Sequence, residues 1–167
     1  MKTAATLIAA LGLASAANAG LTLDDLSTAT ITGGSVTFGD TSGSSNDMSG
    51  DSIGFGTWSG GDDVYTLVWG GGDLVVDLLF SNIAGDLDLF LFDNNLSGGP
   101  GELAQGLSVD DNEQVEVLGA AAGTYYISVD GWLGASNSYE LRVNGVPAPS
   151  ALAMLGLGGL VAGRRRR

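Results

Sequence analysis

Carboxylates are the chemistry this sequence has to offer. It contains no histidine and no cysteine, which removes the usual zinc ligands, general bases and thiol nucleophiles and excludes a Ser-His-Asp triad. Nineteen Asp and Glu remain, against six Lys and Arg. Asp86 and Asp88 stand two apart in a strand-like run, hence on one face of it, and Asp93-Asn94-Asn95 follow at its end. Asp62, Asp63, Asp110 and Asp111 add further oxygens in apparent loops. Such a set suits calcium, which takes about six to eight oxygens and binds extracellular modules at ~10⁻⁴–10⁻³ M. Asp86, Asp88 and Asp93 are therefore the candidate calcium ligands, and no other cofactor is expected. The competing reading is a solvated acidic surface, with Asp86 or Asp88 accepting turn hydrogen bonds. Paired carboxylates also cleave glycosides across a cleft, but a domain this small has little room for a cleft beside its core. A non-enzyme is the expectation.

These acids sit in a segment of uneven charge. All nineteen lie between Asp24 and Glu140, whereas Lys2 and Arg164 to Arg167 lie at the ends. Gly20 to Val146 keeps Arg142 alone against them, a formal charge of −18. That surface repels phosphates and anionic lipid headgroups, so nucleic acid is excluded as a partner. Its 127 residues suit one domain. Without disulfides, its stability must come from its core or from bound ions.

The elements that must position the acids read as strands. Weak strand character at Thr30 to Thr32 and Ser35 to Phe38 precedes a Gly/Ser/Asp-rich stretch, Gly39 to Asp63, which reads as a long loop or a partly disordered segment, with Ile53, Phe55 and Trp58 as candidate pins. Val64 to Trp69 and Asp73 to Phe80 flank Gly70-Gly71-Gly72 as an expected hairpin, and Glu113 to Leu118 and Thr124 to Asp130 flank Gly119 to Gly123 as another. Asp86 to Phe92 and Ser138 to Val143 complete the set. Alternation places Leu87, Leu89 and Leu91 on one face and Asp86, Asp88, Phe90 and Phe92 on the other. Arg142 is expected to pair with a carboxylate on an outer face, and Trp58 or Trp132 are candidates for stacking on a sugar. The expected fold is all-β: an antiparallel, jelly-roll-like β-sandwich between an N-terminal signal helix and a C-terminal apolar helix.

The ends imply export. Lys2, the apolar Ala4 to Ala16 and the small-x-small run Ala17-Asn18-Ala19 before Gly20 read as a cleavable secretory signal over 1–19, cut by signal peptidase. At the other end, Val146-Pro147-Ala148-Pro149-Ser150 leads into the uncharged Ala151 to Gly163 and then Arg164, Arg165, Arg166 and Arg167. Cations favour the cytoplasmic side, so this segment would hold the domain outside. Its thirteen apolar residues reach only ~20 Å as a helix, short of a ~30 Å hydrocarbon core, which suits a temporary hold. The order of Val-Pro-x-Pro-Ser, apolar run and arginine cluster resembles the PEP-CTERM sorting signal over 146–167, although Pro147-Ala148-Pro149 replaces the usual Pro-Glu-Pro. The resemblance implies processing by an exosortase-like membrane enzyme.

A second resemblance covers the domain. Gly61-Asp62-Asp63-Val64-Tyr65-Thr66-Leu67, Gly85-Asp86-Leu87-Asp88-Leu89-Phe90-Leu91-Phe92-Asp93, Ala122-Gly123-Thr124-Tyr125-Tyr126-Ile127-Ser128-Val129 and Ser138-Tyr139-Glu140-Leu141 together resemble the bacterial pre-peptidase C-terminal domain. This implies a non-catalytic role in binding, secretion support or display, although no peptidase accompanies the module here. The implied division is a signal (1–19), a β-start with a polar loop (20–61), the sandwich core (62–145) and the sorting tail (146–167). An exported surface or matrix protein is expected, with exopolysaccharide as a candidate partner.

Overall fold

The computed structural model describes residues 22–48, 58–93, 95 and 102–147. The proposed signal, Ile53, Phe55, Asn94 and the tail from Ala148 lie outside them, as do both expected terminal helices. A short helix, α1 (Leu23–Leu26), opens the described chain, capped by Thr22 and Asp25, which hydrogen-bond each other's backbone. Nine strands follow: β1 (Ser27–Thr32), β2 (Val36–Asp40), β3 (Trp58–Trp69), β4 (Gly72–Leu79), β5 (Leu87–Phe92), β6 (Glu102–Gly106), β7 (Glu113–Ala120), β8 (Gly123–Trp132) and β9 (Ser138–Pro147). They form two sheets, ordered β1-β3-β8-β5-β6 and β2-β9-β4-β7. All pairings are antiparallel except β1 with β3, which is parallel.

Alternation builds the space between the sheets. Tyr65, Leu67 and Trp69 of β3, Leu87, Leu89 and Leu91 of β5, and Tyr125, Ile127 and Val129 of β8 face Leu74, Val76 and Leu78 of β4 and Tyr139, Leu141 and Val143 of β9. Truncating a buried aliphatic side chain in such a layer typically costs about 2–5 kcal/mol. One polar chain crosses it. Tyr65 and Tyr139 share a hydroxyl hydrogen bond of 2.7 Å, Tyr139 donates to Asp63 Oδ2 at 2.5 Å, and Ser44 Oγ donates to Asp63 Oδ1 at 2.6 Å. Burial and these neighbours hold the Tyr139 phenol far above its usual range. Its ring lies where a side chain at residue 39 would stand, so Gly39 is required by close approach.

Two expectations about connectivity are corrected. Gly70 to Gly72 and the turn near Gly119 to Gly123 are not hairpin loops. Each carries the chain from one sheet to the other, β3 to β4 and β7 to β8. Glycine-rich turns between apolar runs signal a reversal but do not say whether the next strand pairs or crosses over. Residue 61 is also no boundary, because β3 runs through it and β1 and β2 are members of the two sheets. β6 is an additional strand, too short and too mixed in composition to show alternation.

Candidate functional site

The sequence places Asp86 and Asp88 opposite the leucine face of β5, and the structure agrees, but that face is not open to water. All six residues of β5 are buried. Over the outer surface of the five-stranded sheet lies a second hydrophobic layer of Leu23, Met48, Trp58, Val64, Phe90, Phe92 and Tyr126, with Leu26 and Trp132 packed at its margin. α1, through Leu23, and Met48 in the segment after β2 cover it. Tyr126 Oη donates to Asp24 Oδ1 at 2.8 Å, and Asn95 bonds both the backbone amide and the side chain of Asp24. These bonds fasten α1 to the sheet beneath it.

Within this layer the register sets three aspartates side by side. Asp62 of β3 pairs with Asp130 of β8, and Asp130 pairs with Asp88 of β5. Directly opposed residues share a face, with Cβ atoms ~5 Å apart. Asp88 is 3% exposed and Asp130 0%. The outer two carboxylates have donors. Asp62 Oδ2 accepts the amides of Asp47 and Met48, both at 2.8 Å, which moors the segment after β2. Asp88 Oδ2 accepts the indole N–H of Trp58. Neither oxygen of the central Asp130 has a hydrogen-bond partner, and neither does Ser128 Oγ on the next rung.

Burial is the main force on all three acids. It pushes Asp62 up to about 6, against the two amides, which pull it down, and with help from the charges of Asp47 and Asp63. Asp88 is pushed up to about 7 by burial, opposed by Trp58 and reinforced by Asp86 and Glu113. Asp130 is pushed up to about 8 by burial and then by Asp62; the Gly131 amide moderates this without reaching hydrogen-bond geometry. Buried Glu113 is raised by burial as well, although Ser108 donates both its amide and its hydroxyl to it.

The structure does not bring Asp86, Asp88 and Asp93 together. Asp93 is exposed at the far end of β5, ~16 Å along the strand from Asp88 at ~3.3 Å per residue. Among the described residues no group of three Asp or Glu is arranged to hold a metal ion. Asp62 and Asp63 belong to β3 rather than to a loop, whereas exposed Asp110 and Asp111 precede β7 beside Asn82. Trp58 is buried, so its ring is not open for a sugar, and partly buried Trp132 packs edge-on against it with ring centroids 5.1 Å apart. Pro147 ends β9, paired with Gly72; Ala17, Ala19, Gly20, Ala148, Pro149 and Arg164 to Arg167 lie outside the described residues. Arg142 does pair on an outer face, its Nε 2.7 Å from Glu140 Oε1.

The hollows among the described residues include two of similar size. One, of about 550 Å³, is an open dish between Asn82, Ile83, Val109, Asp110 and Asp111. The other, of about 520 Å³, lies at one end of the sandwich between Thr32, Gly33, Gly34, Val68, Trp69, Gly70, Asn144 and Gly145, with no titratable side chain in its lining. No helix among the described residues is long and apolar enough to cross a membrane.

Fold and site together define a β-sandwich whose five-stranded sheet is covered on its outer face over β3, β8 and β5, with Asp62, Asp88 and Asp130 in a row there. No family model and no curated protein matches the chain. Solved structures similar to it include the pre-peptidase C-terminal domain of a collagenase from Bacillus anthracis, with 20% identity, a TM-score of 0.48, and coverage of 70% of this chain and 95% of that one. Another is PliG of Aeromonas hydrophila, a periplasmic inhibitor of g-type lysozyme, with 15% identity, a TM-score of 0.45, and coverage of 69% and 94%. A third is the Yersinia pseudotuberculosis-derived mitogen, with 17% identity, a TM-score of 0.39, and coverage of 71% and 92%.

Proposed function

We propose that this chain is an exported, non-catalytic β-sandwich module, held for a time at the membrane by its C-terminal segment and displayed on the cell surface or in an extracellular matrix. The observation that carries the non-catalytic part is the fate of the acids. Those closest together are sealed beneath Trp58, Met48 and Leu23, where no substrate reaches them. The resemblance of the Asp62 to Asn144 region to the pre-peptidase C-terminal domain points to the same accessory role.

Export and sorting rest on the ends of the sequence. Signal peptidase would act after Ala19, and an exosortase-like enzyme near Pro147-Ala148-Pro149. The strongly acidic domain then faces outward, where its charge favours solubility and disfavours nucleic acid. Exopolysaccharide is the partner a matrix location suggests. Intact-mass measurement of the protein recovered from its native cells tests both cuts. The expected product lacks residues 1–19 and the arginine cluster, and is found in the envelope or the medium. A full-length product in the cytosol overturns the proposal.

A further inference from the structure

The Asp62–Asp130–Asp88 row is a problem in electrostatics before it is anything else. Three carboxylates on neighbouring strands would repel one another if all were ionised, and burial makes each charge costlier still. No basic side chain among the described residues relieves them. Among the described residues the one basic side chain is Arg142, on the outer face of the other sheet and bonded to Glu140. The groups around the row are acidic or neutral. Asp47 stands beside Asp62 in the segment after β2, and Asp86 and Glu113 act on Asp88 from beyond β5. Trp58 donates to Asp88, and Ser128 flanks Asp130 on β8. α1 contributes Asp24, already bonded to Tyr126.

We propose that this row is a proton-binding site built into the fold: protons shared along it neutralise the buried acids, so that the second hydrophobic layer closes tightly in mild acid and loosens above neutral pH. Cross-strand opposition is the geometry such sharing needs, because the O–H of one carboxyl can donate to the carboxylate on the adjacent strand. The partnerless oxygens of Asp130, placed between two acids that already have donors on their outer sides, are where shared protons would settle. The direction follows from linkage. All three acids are raised above their ordinary aspartate value, so the folded chain holds protons that the unfolded chain releases. Their contribution to stability is full below the ordinary aspartate range and is lost as the pH rises through about 6, 7 and 8.

Thermal melts of the domain-bearing chain, Asp130→Asn and the surface control Asp110→Asn, made in chelator at about pH 5 and about pH 8.5, test this. Wild type should melt several degrees lower at the higher pH. Asp130→Asn should recover most of that loss at the higher pH and bring no gain at the lower one, while Asp110→Asn, which also removes one negative charge, should leave the pH dependence in place. An equal Asp130→Asn effect at both pH values, or the same pattern in the control, overturns the proposal. So does a calcium-induced rise in melting temperature that Asp130→Asn abolishes, because the occupant would then be a metal ion. Should Asp130→Asn fail to fold, infrared bands of protonated carboxyl groups in wild type near neutral pH decide the matter: their presence supports the row as a proton site, and their absence overturns it.

Discussion

The five-stranded sheet has two faces, and over its central strands both are buried but differently built. Its inner face meets the second sheet through alternating aliphatic and aromatic side chains, crossed by a polar chain from Tyr65 through Tyr139 to Asp63. Its outer face meets no sheet. It is covered by α1 and by the segment after β2, and it sets three aspartates among aromatic and aliphatic side chains. Burial alone therefore does not separate a packing surface from a responsive one. What separates them is whether the buried polar groups are all satisfied.

Adjacent residues of β5 give the sharpest comparison. Leu89 points into the inner layer and Phe90 into the outer one, and both are 0% exposed. If the outer layer is a second core, Phe90→Ala should cost about 4 kcal/mol and Leu89→Ala about 3 kcal/mol in denaturant unfolding. A Phe90→Ala loss below about 1 kcal/mol would show the cover to be loose. Next in size is Tyr139→Phe, which leaves Asp63 Oδ2 without its phenol donor inside the inner layer. A loss of about 2 kcal/mol is expected by the same measurement.

Trp58→Phe probes the outer layer in the same way, by deleting the indole N–H that Asp88 accepts while keeping a ring beside Phe90. Asp88 is raised to about 7, so the lost donor should matter more when the acid is ionised. The expected cost is about 2 kcal/mol near pH 8.5 and about 1 kcal/mol near pH 5, read from melts at each pH. An unchanged cost at both would remove Asp88 from any pH response. Smallest of all is Phe38→Ser. Phe38 is 76% exposed on edge strand β2, and its replacement should change stability by less than about 0.5 kcal/mol.

The two faces also differ in how far they could be read from the sequence. The inner face was legible, since Leu87, Leu89 and Leu91, or Tyr139, Leu141 and Val143, declare themselves by period two. The outer face was half legible. Asp86, Asp88, Phe90 and Phe92 were placed together, and two large rings beside two acids were the sign that this side was covered. Asp130 escaped notice because a lone acid in Ser128-Val129-Asp130 looks like an ordinary solvent-facing residue. Its company is set by the registers of β3 and β5, which lie far away in sequence. Of the anchors in the Gly/Ser/Asp-rich stretch, Trp58 is buried as its type suggests, whereas buried Met48 is hidden by the polarity of its neighbours. The close passage of β3 and β8 was hidden likewise, since Gly60 and Gly131 read as turn formers until their backbones are seen against each other.

β9 lies between β2 and β4 and keeps its ladder with β4 as far as Pro147, opposite Gly72. A pull at that point, directed along the strand, therefore strains rows of hydrogen bonds on both flanks at once, in shear, rather than peeling them one by one. Force applied at the carboxyl end of β9 is thereby spread over two ladders rather than one.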